Sequence, residues 1–387
     1  MGMALITVTR EVAPGSLRVL YLLADQTGCG WYRCLLPGIY LRNLYGLDTR
    51  AAVSLSDEVR AFARDADIIV CQRQLSDGVL KFVHEQKALG KTIIYELDDD
   101  FWHLPVKNPV YRYYQAEGLA RLMRFIRAAD VVTVSTEPLK RVVDTMHDQV
   151  VVLPNAVDPD LADAIVESSM KRHSFRDARV RIGWSGSNFH EGDLDGAIDA
   201  LILLAQRSDV VLVFFGWVPT RIRREVAANS LEIHPFVPTN SYYQTMAALR
   251  LDIGVAPLCD NRFNEAKSNL KYLEYSIFKV PTVASPVYPY THTITDGEDG
   301  ILVKKNRHQE WLRQLTRLVE DRAERDRLAH HAYAMVRDRF HLKTNVRRWL
   351  DVYGGLCRRS GGTAIPASCA LPSMDHLRKG AETVALC

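Results

Sequence analysis

Short apolar, β-branched runs alternate with amphipathic stretches along most of the chain. The first run is Arg18–Ala24, followed by Asp67–Cys71, Thr92–Leu97, Asp130–Val134 and Val150–Leu153. Runs this short and apolar on both faces predict strands buried in a parallel sheet, with helices covering each side. Between them Leu119, Leu122, Met123 and Ile126 recur at helical spacing, with Arg121, Arg124 and Arg127 on other faces. The pattern pauses where Pro154 and Pro159 bracket turn-forming residues, and then restarts. Val180–Trp184, Val210–Phe215, Leu231–His234, Asp252–Ala256 and Pro281–Ala284 read as a second series of strands. Leu194, Ala197, Ile198, Leu201 and Leu204 predict the helix behind the first of these. This alternation predicts an α/β protein built from two Rossmann-like, doubly wound domains that face a cleft.

The boundaries follow from the same pattern. Residues 1–16 form an N-terminal extension, 17–155 the first domain, 156–178 a linker and 179–340 the second domain. A helix over 341–356 returns to the first domain, and 357–387, rich in Ser, Gly, Ala and Pro, reads as a disordered tail. The length of 387 residues agrees with two domains of about 150 residues each plus a tail. An apolar fraction of 47% is enough for two cores. Forty-nine basic and 46 acidic residues leave a net charge of +3, which does not mark a nucleic-acid or membrane protein. The seven cysteines form no C-x-x-C pair, which argues against a disulfide framework or a structural zinc site. No stretch of about 18 apolar residues and no signal-peptide pattern occurs, so a cytoplasmic protein without a transmembrane segment is expected.

The densest chemical signal is Phe263–Glu274, after the strand at 252–256. Ser268 is a candidate N-cap, with Asn269 beside it, and Leu270, Leu273 and Ile277 form an apolar stripe behind it. A helix starting here would offer unpaired amides and a positive dipole end to an anion. Lys267 would stand at that end, with Lys271 and Glu274 three residues apart on one face. Cations beside amides suit a diphosphate, and the carboxylate further along suits the hydroxyls of a ribose. A capped surface helix with a Lys–Glu ion pair has the same spacing.

This segment resembles the donor-binding motif of the GT-B-fold glycosyltransferases, above all the large retaining group 1 (family 4-like) enzymes, in a divergent branch. The continuation Glu274–Ser285 and then Ile294–Val303 follows the same pattern. Glu274 takes the place of the second Glu of the family's Glu-x7-Glu motif, whereas Ala266 stands where the first would be. The resemblance implies further positions. Gly186, Ser187 and His190 lie in the turn after the strand at 180, where the family approaches phosphate. Phe236 and Val237 lie where the family reads the nucleotide base. Gly28, Gly30 and Arg33 resemble the glycine-rich loop on the diphosphate and acceptor side. Asp98, Asp99 and Asp100 close the strand at 92–97 and must be solvated, paired or bridged by a cation. Acceptor recognition is the preferred role for them, with Asp100 as a candidate base and no metal required.

The implied activity is transfer of a sugar from a UDP- or GDP-type nucleotide sugar, with retention at the anomeric carbon and no tightly bound cofactor. Lys267, His190 and Asp100 are the candidate catalytic residues. The expected acceptor is a glycan or polysaccharide precursor, which leaves room for peripheral membrane contact. One rival is glycosylation of modified bases in phage DNA, with Arg221, Arg223, Arg224, Arg347 and Arg348 as candidate phosphate contacts. A second is a non-catalytic nucleotide-sugar-binding protein, and a third is an epimerase of the same fold.

Overall fold

The computed structural model describes residues 16–170 and 178–359. The expected N-terminal extension and C-terminal tail therefore lie outside the described residues, apart from their inner edges. The chain divides into two compact units, the first holding 16–98, 117–154 and 342–359, the second 99–116 and 155–341.

The first unit is built on a parallel sheet of β1 (Arg18–Leu23), β2 (Asp48–Ala52), β3 (Ile68–Gln72), β4 (Thr92–Leu97), β5 (Val131–Val134) and β6 (Val150–Val152), in the order β2-β1-β3-β4-β5-β6. Every residue of β3, β4 and β5 is buried, the burial that their continuous apolar runs predict. β2 is half-buried throughout and occupies the sheet edge, so its sequence carries no apolar run to announce it.

The second unit repeats the architecture with β7 (Val180–Gly186), β8 (Val210–Gly216), β9 (Leu231–His234), β10 (Ile253–Ala256), β11 (Thr282–Ala284) and β12 (Ile301–Leu302), in the order β12-β11-β10-β7-β8-β9. All pairings are parallel. The core between sheet and helices joins Trp184, Leu201, Leu212, Phe214, Val255 and Trp311. Residues 156–178, read from sequence as a linker, contain the helix Pro159–Met170, which is part of this unit. The order in which successive strands are added reverses at β1/β3 in the first unit and at β7/β10 in the second. Loops at the carboxyl ends of those strands are where open α/β sheets bind ligands.

The first of these loops is not what its glycines imply. A helical run begins at Gly28 and continues through a π-helical turn, Trp31–Leu35, into Leu36–Tyr45. Gly30 is required by packing, because a Cβ there would sit 2.1 Å from the Asp25 carbonyl oxygen. Arg33, expected to clamp phosphate or acceptor, is only 2% exposed. Its Nε donates to Glu96 at 2.6 Å and its Nη1 to the Leu153 carbonyl at 2.5 Å. Thr133 donates to the other oxygen of Glu96, and the Trp349 ring lies 5.9 Å from the guanidinium. Arg33 is therefore an internal tie between β4, β5 and the closing helix Arg347–Arg359, and the ligand role is withdrawn. Removing one member of such a pair leaves the other charge buried without compensation. Arg33→Ala should cost the first unit about 3–5 kcal/mol in denaturant unfolding, far more than an exposed Arg→Ala change.

Candidate active site

The Leu270–Ile277 helix runs from the β10 loop toward β11, and its inner face buries Tyr272, Leu273, Tyr275 and Ile277. Tyr275 fixes it in place. Its hydroxyl accepts from the Ser185 amide at 3.3 Å and lies 3.4 Å from the carbonyls of both Gly183 and Val255, so one side chain holds the helix to β7 and β10. Gly254 makes this approach feasible, since a Cβ there would come within 2.6 Å of the Tyr275 ring.

Ser268 is not the N-cap that its spacing predicts. The helix begins at Leu270 with Asn269 at the cap position, and no side-chain cap bond forms. The Ser268 hydroxyl instead accepts from Asn155 Nδ2 at 2.9 Å, and Asn269 Nδ2 donates to Thr293 Oγ1 at 3.0 Å. Asn155 is 113 residues away in sequence, beyond the reach of a local capping argument. The start of this helix keeps its positive dipole end without a capping side chain.

Glu274 is 8% exposed, and its carboxylate accepts from the Tyr242 hydroxyl at 3.0 Å. Tyr242, on the helix Thr239–Leu249, is set by stacking on Phe215 with ring centroids 5.4 Å apart. Lys271 donates to the Ser185 carbonyl and lies 5.1 Å over the Trp184 ring. Burial, opposed by Glu274 and aided by Lys267, brings its pKa down to about 8. The Lys267 amine lies 4.4 Å over the Phe263 ring and 3.4 Å from Asp99 Oδ1. Helix and strand ends thus gather two ammonium groups and one held carboxylate on the carboxyl side of β7 and β10.

The turn after β7 completes the group. Ser187 caps a short 3-10 turn, Asn188–His190, by accepting from the Phe189 amide at 3.4 Å. His190 Nδ1 lies 2.9 Å from Asp193 Oδ2. Burial holds the imidazole below its usual pKa; the bond to Asp193 opposes this, and Lys267 and Lys271 add to it. Gly186 gives its carbonyl to the Trp217 amide at 2.8 Å. Phe236 is 64% exposed with its ring against Gly216, and Val237 packs on the cluster of Phe215, Met246 and Tyr275.

The acidic run at the end of β4 disperses. Asp98, in the first unit, pairs with Arg73 at 3.5 Å, whereas Asp99 faces Lys267. Asp100, expected as a base, is 1% exposed and is held by the Trp102 amide at 3.2 Å and by His103 Nδ1 at 2.7 Å. A carboxylate enclosed in this way cannot itself meet an acceptor, whereas the His103 side chain that it holds is 35% exposed. His103 Nε2 lies 3.5 Å from Arg262 Nη1. Among the described residues, no group of three or more His, Cys, Asp or Glu side chains is placed to hold a metal ion. Asn155 and Asp193 are not legible in the sequence because each is defined by a partner on another loop.

The fold is that of the GT-B glycosyltransferases. Residues 166–335 match the family model described as Glycosyl transferases group 1. A D-inositol 3-phosphate glycosyltransferase of Nocardioides sp. is 40% identical over 73 residues, 19% of this chain and 16% of that relative's length. The Anabaena protein Alr3699/HepE, solved in complex with UDP-glucose, aligns with a TM-score of 0.64 at 14% identity over 88% of this chain and 100% of its own. WaaG, a glycosyltransferase involved in lipopolysaccharide biosynthesis, aligns with a TM-score of 0.60 at 15% identity, again over 88% of this chain and 100% of its own. The chain is thus a GT-B-fold protein that resembles the group 1 glycosyltransferases, as its Lys271-Glu274 motif implies. No helix among the described residues is long and apolar enough to cross a membrane.

The perturbed lysine has a measurable consequence. Folded Lys271 releases its proton near pH 8, whereas an unfolded lysine does so near about 10.4. Between these values the unfolded chain binds more protons, so the Lys271 contribution makes stability rise with pH. Urea unfolding of wild type and Lys271→Met at both ends of this window should show that rise in wild type and its loss in the variant.

Proposed function

We propose that the protein is a glycosyltransferase whose second unit binds a nucleotide sugar of UDP or GDP type. The observation that carries this reading is the Glu274 carboxylate, fixed by Tyr242 one helical turn beyond Lys271, with Lys267 at the helix start. The pentose hydroxyls hydrogen-bond Glu274, and the diphosphate lies against the amides of Ser268 and Asn269 with Lys267, Lys271 and His190 around it. The exposed Phe236 ring, with Val237 behind it, forms one side of the place for the base. Gly186 and Ser187 let the backbone approach the phosphates closely. Catalysis consists chiefly of stabilising the departing diphosphate with these cations and amides, which are already in place before reaction. Retention at the anomeric carbon and a cytoplasmic setting follow from the resemblance.

The acceptor is a glycan or polysaccharide precursor. Of the arginines considered for DNA contact, Arg221 pairs with Asp199 and Glu225, Arg224 with Glu225, and Arg347 with Asp351, which leaves these cations engaged in local ion pairs. That pairing favours the glycan over DNA.

Screening UDP- and GDP-sugars by thermal shift, followed by turnover with the best ligand, tests the proposal. Glu274→Ala and Lys267→Ala should each lower kcat/KM for the donor by at least about tenfold, equivalent to the loss of one charge-assisted contact. Unchanged kinetics in both would rule out this site. Interconversion of two free nucleotide sugars would instead identify an epimerase, and binding without hydrolysis or transfer a non-catalytic module.

A further inference from the structure

The turn after β7 and the loop after β10 are joined by one carboxylate, that of Asp193. It is 6% exposed and accepts at Oδ1 from the Cys259 amide at 3.0 Å and from Asn264 Nδ2 at 2.6 Å. Its Oδ2 lies 2.9 Å from His190 Nδ1. Asn264 Nδ2 also donates to the Cys259 carbonyl at 3.0 Å, and its own amide donates to Asn261 Oδ1 at 2.9 Å. The Cys259 thiol donates to the Gly192 carbonyl at 3.0 Å, and burial pushes its pKa up to about 11, which keeps it a donor. These bonds fix the position of Asp193 from both loops. A carboxylate with this many donors stays ionised, in keeping with its lowered pKa: burial works against the charge, and the bonds from His190 and Cys259 outweigh it.

An ionised carboxylate only accepts hydrogen bonds, so His190 must hold its proton on Nδ1. In the neutral imidazole Nε2 then carries a lone pair, the wrong polarity for a phosphate. The charged groups acting on the ring are Asp193 from its own turn and Lys267 and Lys271 from the β10 side, with the Trp184 ring edge-on at 6.2 Å. The two ammonium groups oppose a further positive charge in the empty site, and a bound diphosphate removes that opposition.

We infer that diphosphate binding at this site is coupled to uptake of a proton by His190, and that Asp193 is the positioning residue that imposes the coupling. The inference rests on the nucleotide-sugar reading above. The proton comes from the buffer and enters on Nε2. The resulting imidazolium donates from Nδ1 to Asp193 and from Nε2 to a phosphate oxygen; the Nε2–H bond is formed as the buffer acid gives up its proton, and no other bond changes.

Calorimetric titration of the full chain with UDP and GDP, in buffers of differing ionisation enthalpy at about pH 7, reads the uptake directly, because Lys271 is largely protonated there. The expected result is about one proton taken up per nucleotide bound. His190→Gln should bind more weakly with most of the uptake lost. Asp193→Asn presents an amide to Nδ1, which moves the ring proton to Nε2, so nucleotide should bind with little or no uptake. Binding by wild type without uptake would overturn the inference and leave the nucleotide-sugar reading standing, and so would undiminished uptake in His190→Gln. Failure of wild type to bind either nucleotide would overturn that reading and the inference together. The wild-type titration needs no variant to fold.

Discussion

The candidate site depends on where one buried hydroxyl finds its partners. Tyr275 enters a space left by the absent side chain of Gly254 and meets polar backbone groups of Gly183, Ser185 and Val255. A phenol in that interior is costly unless it is hydrogen-bonded, so its bonds dictate how closely the Leu270–Ile277 helix lies on the sheet. Lys267, Lys271 and Glu274 inherit their positions from that contact. The β7/β10 junction follows the general rule for open parallel sheets, in which neighbouring loops diverge at the point where the strand order reverses and leave room for a ligand.

A second layer of order comes from charge. Lys267 and Lys271 are drawn toward Asp99 and Glu274, yet burial keeps Lys271 poorly solvated. Such a cluster has an unfavourable field in the absence of an anion, and the protein tolerates it because neighbouring carboxylates are themselves fixed by hydrogen bonds. The Asp193 network and the Tyr242–Glu274 bond are of this kind. Both tie a side chain of the candidate site to an element distant in sequence. The segment 99–116 does the same for Lys267: it leaves the first sheet at β4, joins the second unit and brings Asp99, Asp100 and His103 with it.

Much of the fold was legible in the chain. Buried parallel strands must be apolar on both faces, so β1, β3, β4, β8 and β10 stand out as runs, and the intervening helices show their own periodicity. β2 and β12 did not stand out. β2 is an edge strand with half-exposed residues, and β12 spans only Ile301–Leu302. In the site, Lys267, Lys271 and Glu274 could be found because their spacing on one helix is a local property. Arg33 was misread because glycines and a cation after a strand look alike whether the cation faces a ligand or turns inward to Glu96.

The amino-acid sequence by itself determined the two α/β halves, the helix bearing Lys271 and Glu274, and the resemblance to group 1 glycosyltransferases, since each rests on patterns spanning a few turns or one strand. Tertiary structure alone decided that Ser268 answers to Asn155, that Asp99 faces Lys267, and that Asp193 joins two loops around His190. The physical reason is that a polar side chain taken out of water must be satisfied by whatever group the fold brings near, and that group is usually far away along the chain.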